Sequence, residues 1–146
     1  TEVILDLTEE MRITYKDKNI HVEHQNTGVI TAHKPYIENL FRNLLSNSIK
    51  YNENERIEIK IVQQNHSAFT KIYFSDNGIG IETRDYERIF NVFQRLHNAQ
   101  EYSGNGIGLT ICKKIMDLHG GTLSVLSEMG KGSTFTIHLP QTEENE

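Results

Sequence analysis

Cysteine is nearly absent: the chain has one thiol, Cys112, in 146 residues. That excludes an internal disulfide and a cysteine-rich zinc site, and it suits a reducing cytoplasm. A single free cysteine of this kind reads as a packing residue rather than a nucleophile. Long apolar runs are missing too. None approaches the ~20 residues needed to span a bilayer, so no membrane contact is expected of this domain. The opening TEVILDLTEE lacks the basic region and apolar stretch of a secretory signal, and it reads as the cut edge of a longer chain. Positive charge is in deficit, with 15 Lys and Arg against 20 Asp and Glu, a net charge of -5. That balance disfavours a nucleic-acid surface. No internal repeat is visible. What is there is 36% hydrophobic and 24% charged, at a length that fits one domain with a real core.

The pattern along the chain is mixed. VILDL (3–7) reads as a short strand, after which Leu7, Met11 and Tyr15 recur at helical spacing. IHVEH (20–24) alternates as a strand, Asn26 to Gly28 signals a turn, and VITAH (29–33) reads as another short strand. Pro35 suits a first helical turn, and Ile37, Leu40, Phe41, Leu44, Leu45 and Ser48 trace one face of a helix over about 35–51. RIEIKIV (56–62) and FTKIYFSD (69–76) predict an antiparallel hairpin. A short acidic helical stretch follows DNGIGI. HNAQEYSGNG has almost no apolar content and predicts a mobile loop. IGLTICKKIMDLHGG is a helix stopped by Gly120 and Gly121. TLSVLSE and STFTIHL are two more strands, and the tail 141–146 is polar.

Three pieces carry chemistry. Asn43, Asn47 and Lys50 stand at i, i+4 and i+7 on one stripe of the predicted helix, opposite its apolar stripe. Amide oxygens suit Mg²⁺, and a lysine acts as a point charge on phosphate. Asp76-Asn77-Gly78-Ile79-Gly80 closes a strand. Gly104-Asn105-Gly106-Ile107-Gly108-Leu109 runs into a helix, whose free N–H groups attract anions. Alone, each has a plain reading: a solvated face, an Asn-Gly turn, a hinge.

In this order the three resemble the Bergerat-type ATP-binding fold shared by gyrase, the Hsp90 chaperones, histidine kinases and MutL. The match is nearest to the catalytic domain of two-component sensor histidine kinases. NLLSNSIKY looks like that family's N box, DNGIG its first glycine box, IFNVFQR its F box and GNGIGLTI its second glycine box. The resemblance covers about residues 1–140, with Asn105 where the family more often has threonine. It implies a two-layer α/β sandwich, a mixed, mostly antiparallel sheet with helices on one face. It also implies roles. Asn47 would ligate Mg²⁺, Asn43 would contact the phosphate-metal cluster, and Lys50 and Arg95 would meet phosphate. Tyr51 would line the adenine, and Asp76 would accept its exocyclic amine, with Gly78 and Gly80 in the same loop and Gly80 allowing close approach. Gly104, Gly106, Gly108 and Leu109 would wrap the phosphates, and Phe90 and Phe93 would anchor a lid. His97 reads as a solvent-exposed residue of that lid.

Hydrolytic members resemble one another in carrying a glutamate where this chain has Asn43, and a neutral amide is a poor general base. The implied activity is therefore transfer of the ATP γ-phosphate to a histidine. None of His21, His24, His33, His66, His97, His119 and His138 is followed by the acidic residue that marks the family's acceptor. The acceptor is expected on a dimerisation domain upstream of Thr1 or on a partner. A response-regulator receiver domain is the implied downstream partner, with a homodimeric parent and a monomeric isolated domain. The rivals are a nucleotide-binding interaction module without transfer, an ATPase or chaperone of the wider superfamily, and a serine-directed switch kinase.

An ionised Asp76 only accepts hydrogen bonds. Adenine offers an amine where guanine offers a carbonyl, so ATP is expected to bind tighter than GTP by roughly 2–3 kcal/mol. Calorimetry with both nucleotides checks this, and equal affinities would remove Asp76 from the base site.

Overall fold

Alternating apolar residues build the sheet. The computed structural model of the protein describes residues 1–91 and 108–141. Strand β2 (Arg56–Asn65) turns Ile57, Ile59, Ile61 and Gln63 to a buried face and exposes Glu58, Lys60 and Gln64 on the other. Strand β3 (Phe69–Asp76) buries Thr70, Ile72 and Phe74, and β5 (Gly132–Pro140) buries Ser133, Phe135, Ile137 and Leu139. With β1 (Asn19–Gln25) and β4 (Thr122–Glu128) they form a five-stranded sheet in the order β1-β2-β3-β5-β4. The β1–β2 pair is parallel and the other pairs are antiparallel. The expected mixed, mostly antiparallel sheet is what forms.

Three helices complete the described fold: α1 (Glu2–Thr14), α2 (Lys34–Lys50) and α3 (Gly108–Leu118). Helix α2 is central and contacts both of the others. Pro35 sits in its first turn, and Ile37, Leu40, Phe41, Leu44, Leu45, Ser48 and Ile49 are its buried stripe. Phe41 meets Phe74 of β3 with ring centroids 5.1 Å apart. The apolar stripes of all three helices join the inner face of the sheet in one core, which also takes in Cys112. Burial drives the Cys112 thiol up to about 12, so it stays protonated, as a packing residue should.

Two expected strands are absent. Residues 3–7 lie inside α1, because Ile4, Leu7, Thr8 and Met11 are buried at helical spacing and the short run VILDL is one segment of that stripe. Residues 29–33 form no strand. Val29 is 98% exposed, and the backbone N–H and C=O of Thr31 both bond to the side-chain amide of Gln141, at 2.7 and 3.1 Å. A side chain supplies what a neighbouring strand would have supplied, so β propensity in VITAH finds no ladder. The acidic stretch after Gly80 is two 3₁₀ turns, Thr83–Asp85 and Arg88–Phe90.

Leu40 is fully buried, whereas Leu126 on β4 is 75% exposed. Leu40→Ala is expected to cost about 2–5 kcal/mol in urea denaturation, and Leu126→Ala to stay within about 0.5 kcal/mol of wild type. Equal effects would contradict the placement of the core.

Candidate functional site

The period of two that buries Thr70, Ile72 and Phe74 carries Asp76 to the same inner face at the end of β3. There the carboxylate meets α2. Its Oδ2 accepts the hydroxyl of Ser48 at 2.9 Å, and its Oδ1 accepts the backbone N–H groups of Gly78 at 2.8 Å and Ser133 at 3.3 Å. Burial pushes the Asp76 carboxyl above the usual carboxylate range, and these three bonds act in the opposite direction. A carboxylate has about four acceptor positions. Three are filled by the described residues, which leaves one on Oδ2.

The loop after Asp76 is fixed by close backbone packing. Ile79 N–H donates to the Tyr51 carbonyl at 3.0 Å, and Gly130 N–H donates to the Ile79 carbonyl at 2.8 Å. A Cβ on Gly78 would come 2.6 Å from the Tyr51 carbonyl oxygen. Gly80 has φ +82, and a Cβ there would overlap the Glu128 carbonyl. The glycines of this loop thus make room for the end of α2 on one side and the β4–β5 turn on the other. Asn77 is no hairpin turn residue. Its amide bonds the Arg56 carbonyl, the Glu58 N–H and the Asn52 side chain, which ties the end of β3 to β2 and to the segment after α2.

Asn43, Asn47 and Lys50 are half-buried on one side of α2. The Asn43 amide nitrogen donates to the Asn39 carbonyl at 2.8 Å and to the Asn39 side-chain oxygen at 3.0 Å. Its own oxygen faces Gly108, the first residue of α3, where a Cβ would lie 2.9 Å from it. The structure therefore brings Asn43 together with the N-terminus of α3, whose first N–H groups have no partner inside the helix. Among the described residues, the side chains of Asn47 and Lys50 have no hydrogen-bond or ion-pair partner. An amide oxygen at a helix N-terminus, with a further half-buried amide and an ammonium along the same side of α2, is chemistry that suits a metal-bound polyphosphate. Leu109 is half-buried and packs against the core. The Thr110 hydroxyl donates to the Phe90 carbonyl at 2.7 Å, and Phe90 meets Phe135 edge-on at 6.5 Å. Phe93, Arg95, His97, Gly104 and Gly106 lie outside the described residues.

Sequence reasoning missed four participants. Ser48 was assigned to the apolar stripe of α2, and the signal was a lone hydroxyl in that stripe, which needs a partner once buried. Asn39 extends the asparagine stripe by one turn. Asn52, only 2% exposed, and Ser133, whose N–H caps the carboxylate, act across long sequence separations that no local pattern reveals.

The sequence pattern of the histidine kinase-, DNA gyrase B-, and HSP90-like ATPase family matches residues 32–143. Cyanobacterial phytochrome A of Nostoc sp. is 36% identical over 130 residues, covering 89% of this chain and 17% of its own length. Signal transduction histidine-protein kinase ArlS of Staphylococcus aureus is also 36% identical over 130 residues, covering 82% of this chain and 28% of its own. The chain thus spans under a third of either relative. Among solved structures, the nucleotide-free catalytic domain of histidine kinase ThkA superposes with a TM-score of 0.78 at 25% identity, covering 97% of this chain and 94% of that one.

The raised Asp76 value gives a stability test. The folded state binds this proton more tightly than the unfolded state. The associated stability is full below the unfolded value and is lost as pH rises through the folded one. Asp76→Asn removes that dependence and keeps every bond. Its oxygen still accepts from Gly78 and Ser133, and its NH₂ donates to Ser48, which donates on to the Leu44 carbonyl. The variant is expected to unfold no earlier than wild type at neutral pH, with a flatter pH profile on the acidic side. A loss of about 2 kcal/mol or more at neutral pH would contradict this.

Proposed function

The chain belongs to the histidine kinase-, DNA gyrase B-, and HSP90-like ATPase family, and from that premise we propose that it is the catalytic domain of a two-component sensor kinase. In this reading it holds Mg-ATP and presents the γ-phosphate to a histidine on a separate dimerisation domain. The observation that carries the proposal is the polarity of α2. At Ser48 the helix lies against a half-buried carboxylate with one acceptor position left by the described residues, which suits the adenine amine. At Asn43, five residues earlier and about 7.5 Å along the axis, it meets the N-terminus of α3, which suits phosphate. One helix thus offers an acceptor for a base and an anion-binding end for a polyphosphate, in the sense a nucleotide requires.

Residue roles follow from position. Asp76 takes the base amine, and Tyr51, Gly78 and Gly80 shape the wall beside it. Asn47 is the metal ligand, and Mg²⁺, when bound, neutralises phosphate charge. Asn43 and Gly108 would face the phosphates, and the motif resemblance assigns Lys50, Arg95, Gly104, Gly106 and Leu109 to the same task, of which Arg95, Gly104 and Gly106 lie outside the described residues. Asn43 also separates this reading from hydrolysis. It is uncharged, and its amide hydrogens are committed to Asn39, so it has no proton-abstracting oxygen of carboxylate basicity. The domain's contribution is positioning and charge neutralisation. The partners in this reading are the dimerisation domain and a receiver domain, the parent is a homodimer and the setting cytoplasmic. No helix among the described residues is long and apolar enough to cross a membrane.

Radiolabelled ATP with acid-labile phosphate detection tests the proposal. The chain alone is expected to bind ATP, turn it over very slowly and label none of its own histidines. With a cognate dimerisation domain, label is expected on that domain. Asn47→Ala is expected to abolish most of this transfer while unfolding within about 1 kcal/mol of wild type, because the residue lies off the apolar stripe. Strong self-labelling, or full transfer by Asn47→Ala, would overturn the assignment.

A further inference from the structure

Ser48 is 4% exposed, on the stripe of α2 otherwise filled by Ile37, Leu40, Phe41, Leu44, Leu45 and Ile49. Its hydroxyl has one proton and two acceptors in reach, the Leu44 carbonyl at 3.1 Å and Asp76 Oδ2 at 2.9 Å. A helix-interior serine often bonds back to the carbonyl four residues earlier and needs nothing more. Here the second acceptor is a half-buried carboxylate, and a bond to an ionised oxygen is the stronger of the two. Oδ1 is already fixed by two backbone N–H groups, so Ser48 supplies the one protein donor to the other oxygen among the described residues.

We propose that Ser48 is the positioning residue for base selection: its hydroxyl holds Oδ2 of Asp76 so that a single acceptor position faces the incoming base. The proposal rests on the nucleotide-binding reading above and adds a residue that acts through Asp76 without touching the base. With the donor in place, Oδ2 accepts an amine and repels a carbonyl. Without it, Oδ2 loses its only internal partner, and a proton on that oxygen becomes easier to hold. A protonated Oδ2 donates, which favours the guanine carbonyl over the adenine amine. Ser48 thereby affects which base is bound more than how tightly the phosphates are held.

The test is calorimetric binding of ATP and GTP to the 146-residue chain, as wild type, Ser48→Ala, Asp76→Asn and the double variant, with thermal melts of each. Ser48→Ala is expected to weaken ATP about tenfold, to weaken GTP less, and so to narrow the preference. In the Asp76→Asn background the same change is expected to leave affinity nearly unaltered, because its effect runs through that carboxylate. Unchanged ATP affinity in Ser48→Ala overturns the inference. So does an equal loss for both nucleotides, an equal loss in both backgrounds, or failure of the variant to melt cooperatively. Those results leave the nucleotide-binding reading standing, whereas a wild-type chain that binds neither nucleotide overturns that reading and this one together.

Discussion

One half-buried carboxylate, Asp76, organises the candidate site. The donors to Asp76 come from its own loop, from α2 and from β5, at separations of 2, 28 and 57 residues. Burial alone would favour the protonated acid, which donates rather than accepts. The three bonds favour the ionised form and hold its direction. Everything nearby is arranged around that requirement. The end of β3, the C-terminal half of α2 and the β4–β5 turn close on one another with backbone contacts too tight for side chains at Gly78 and Gly80. Buried Asn52 and half-buried Asn77 close the same junction with paired amides. A polar group costs heavily when buried without partners, so this corner tolerates few substitutions.

The polar side of α2 follows a different rule. Asn39 and Asn43 are bonded to each other along the helix, which fixes which atom of Asn43 faces outward. The stripe is neutral until Lys50, which lies in the last turn, where the partial negative charge of the helix end favours an ammonium. In the nucleotide-binding reading, neutral groups near the N-terminus of α3 would leave an anionic ligand the attraction of that helix end, with no fixed carboxylate on this stripe to approach.

Much of this was legible from residue order. Clean alternation in RIEIKIV placed β2, the β-rich run FTKIYFSD placed β3, and the 3.6-residue recurrence from Ile37 to Ser48 placed α2 to within a residue. The same recurrence continues through Ile4, Leu7 and Met11, yet the β-branched start of VILDL masked it over too short a window. VITAH failed for a tertiary reason, since Gln141, 110 residues away, occupies the hydrogen bonds a strand would need. For the site, Asp76 was visible because a strand ending in Asp-Asn-Gly is a local pattern. Ser48, Asn52 and Ser133 were not, because each matters through one partner that only the sheet order brings near. That order, with β5 between β3 and β4, is a property of the whole chain.

The 57-residue gap between Asp76 and Ser133 also bears on how the molecule comes into being. During synthesis α2 and β3 leave the ribosome well before β5 does. Until β5 docks, the Ser133 N–H is missing from the donors around the carboxylate. Closing so long a loop is entropically costly before its contacts form, so the corner around Asp76 is expected to assemble among the last. A chain that stops before β5 therefore lacks one of the three donors to Asp76. In the nucleotide-binding reading, a ligand seated against Asp76 would act as a certificate of completed folding, since it would stabilise only chains whose final strand is home.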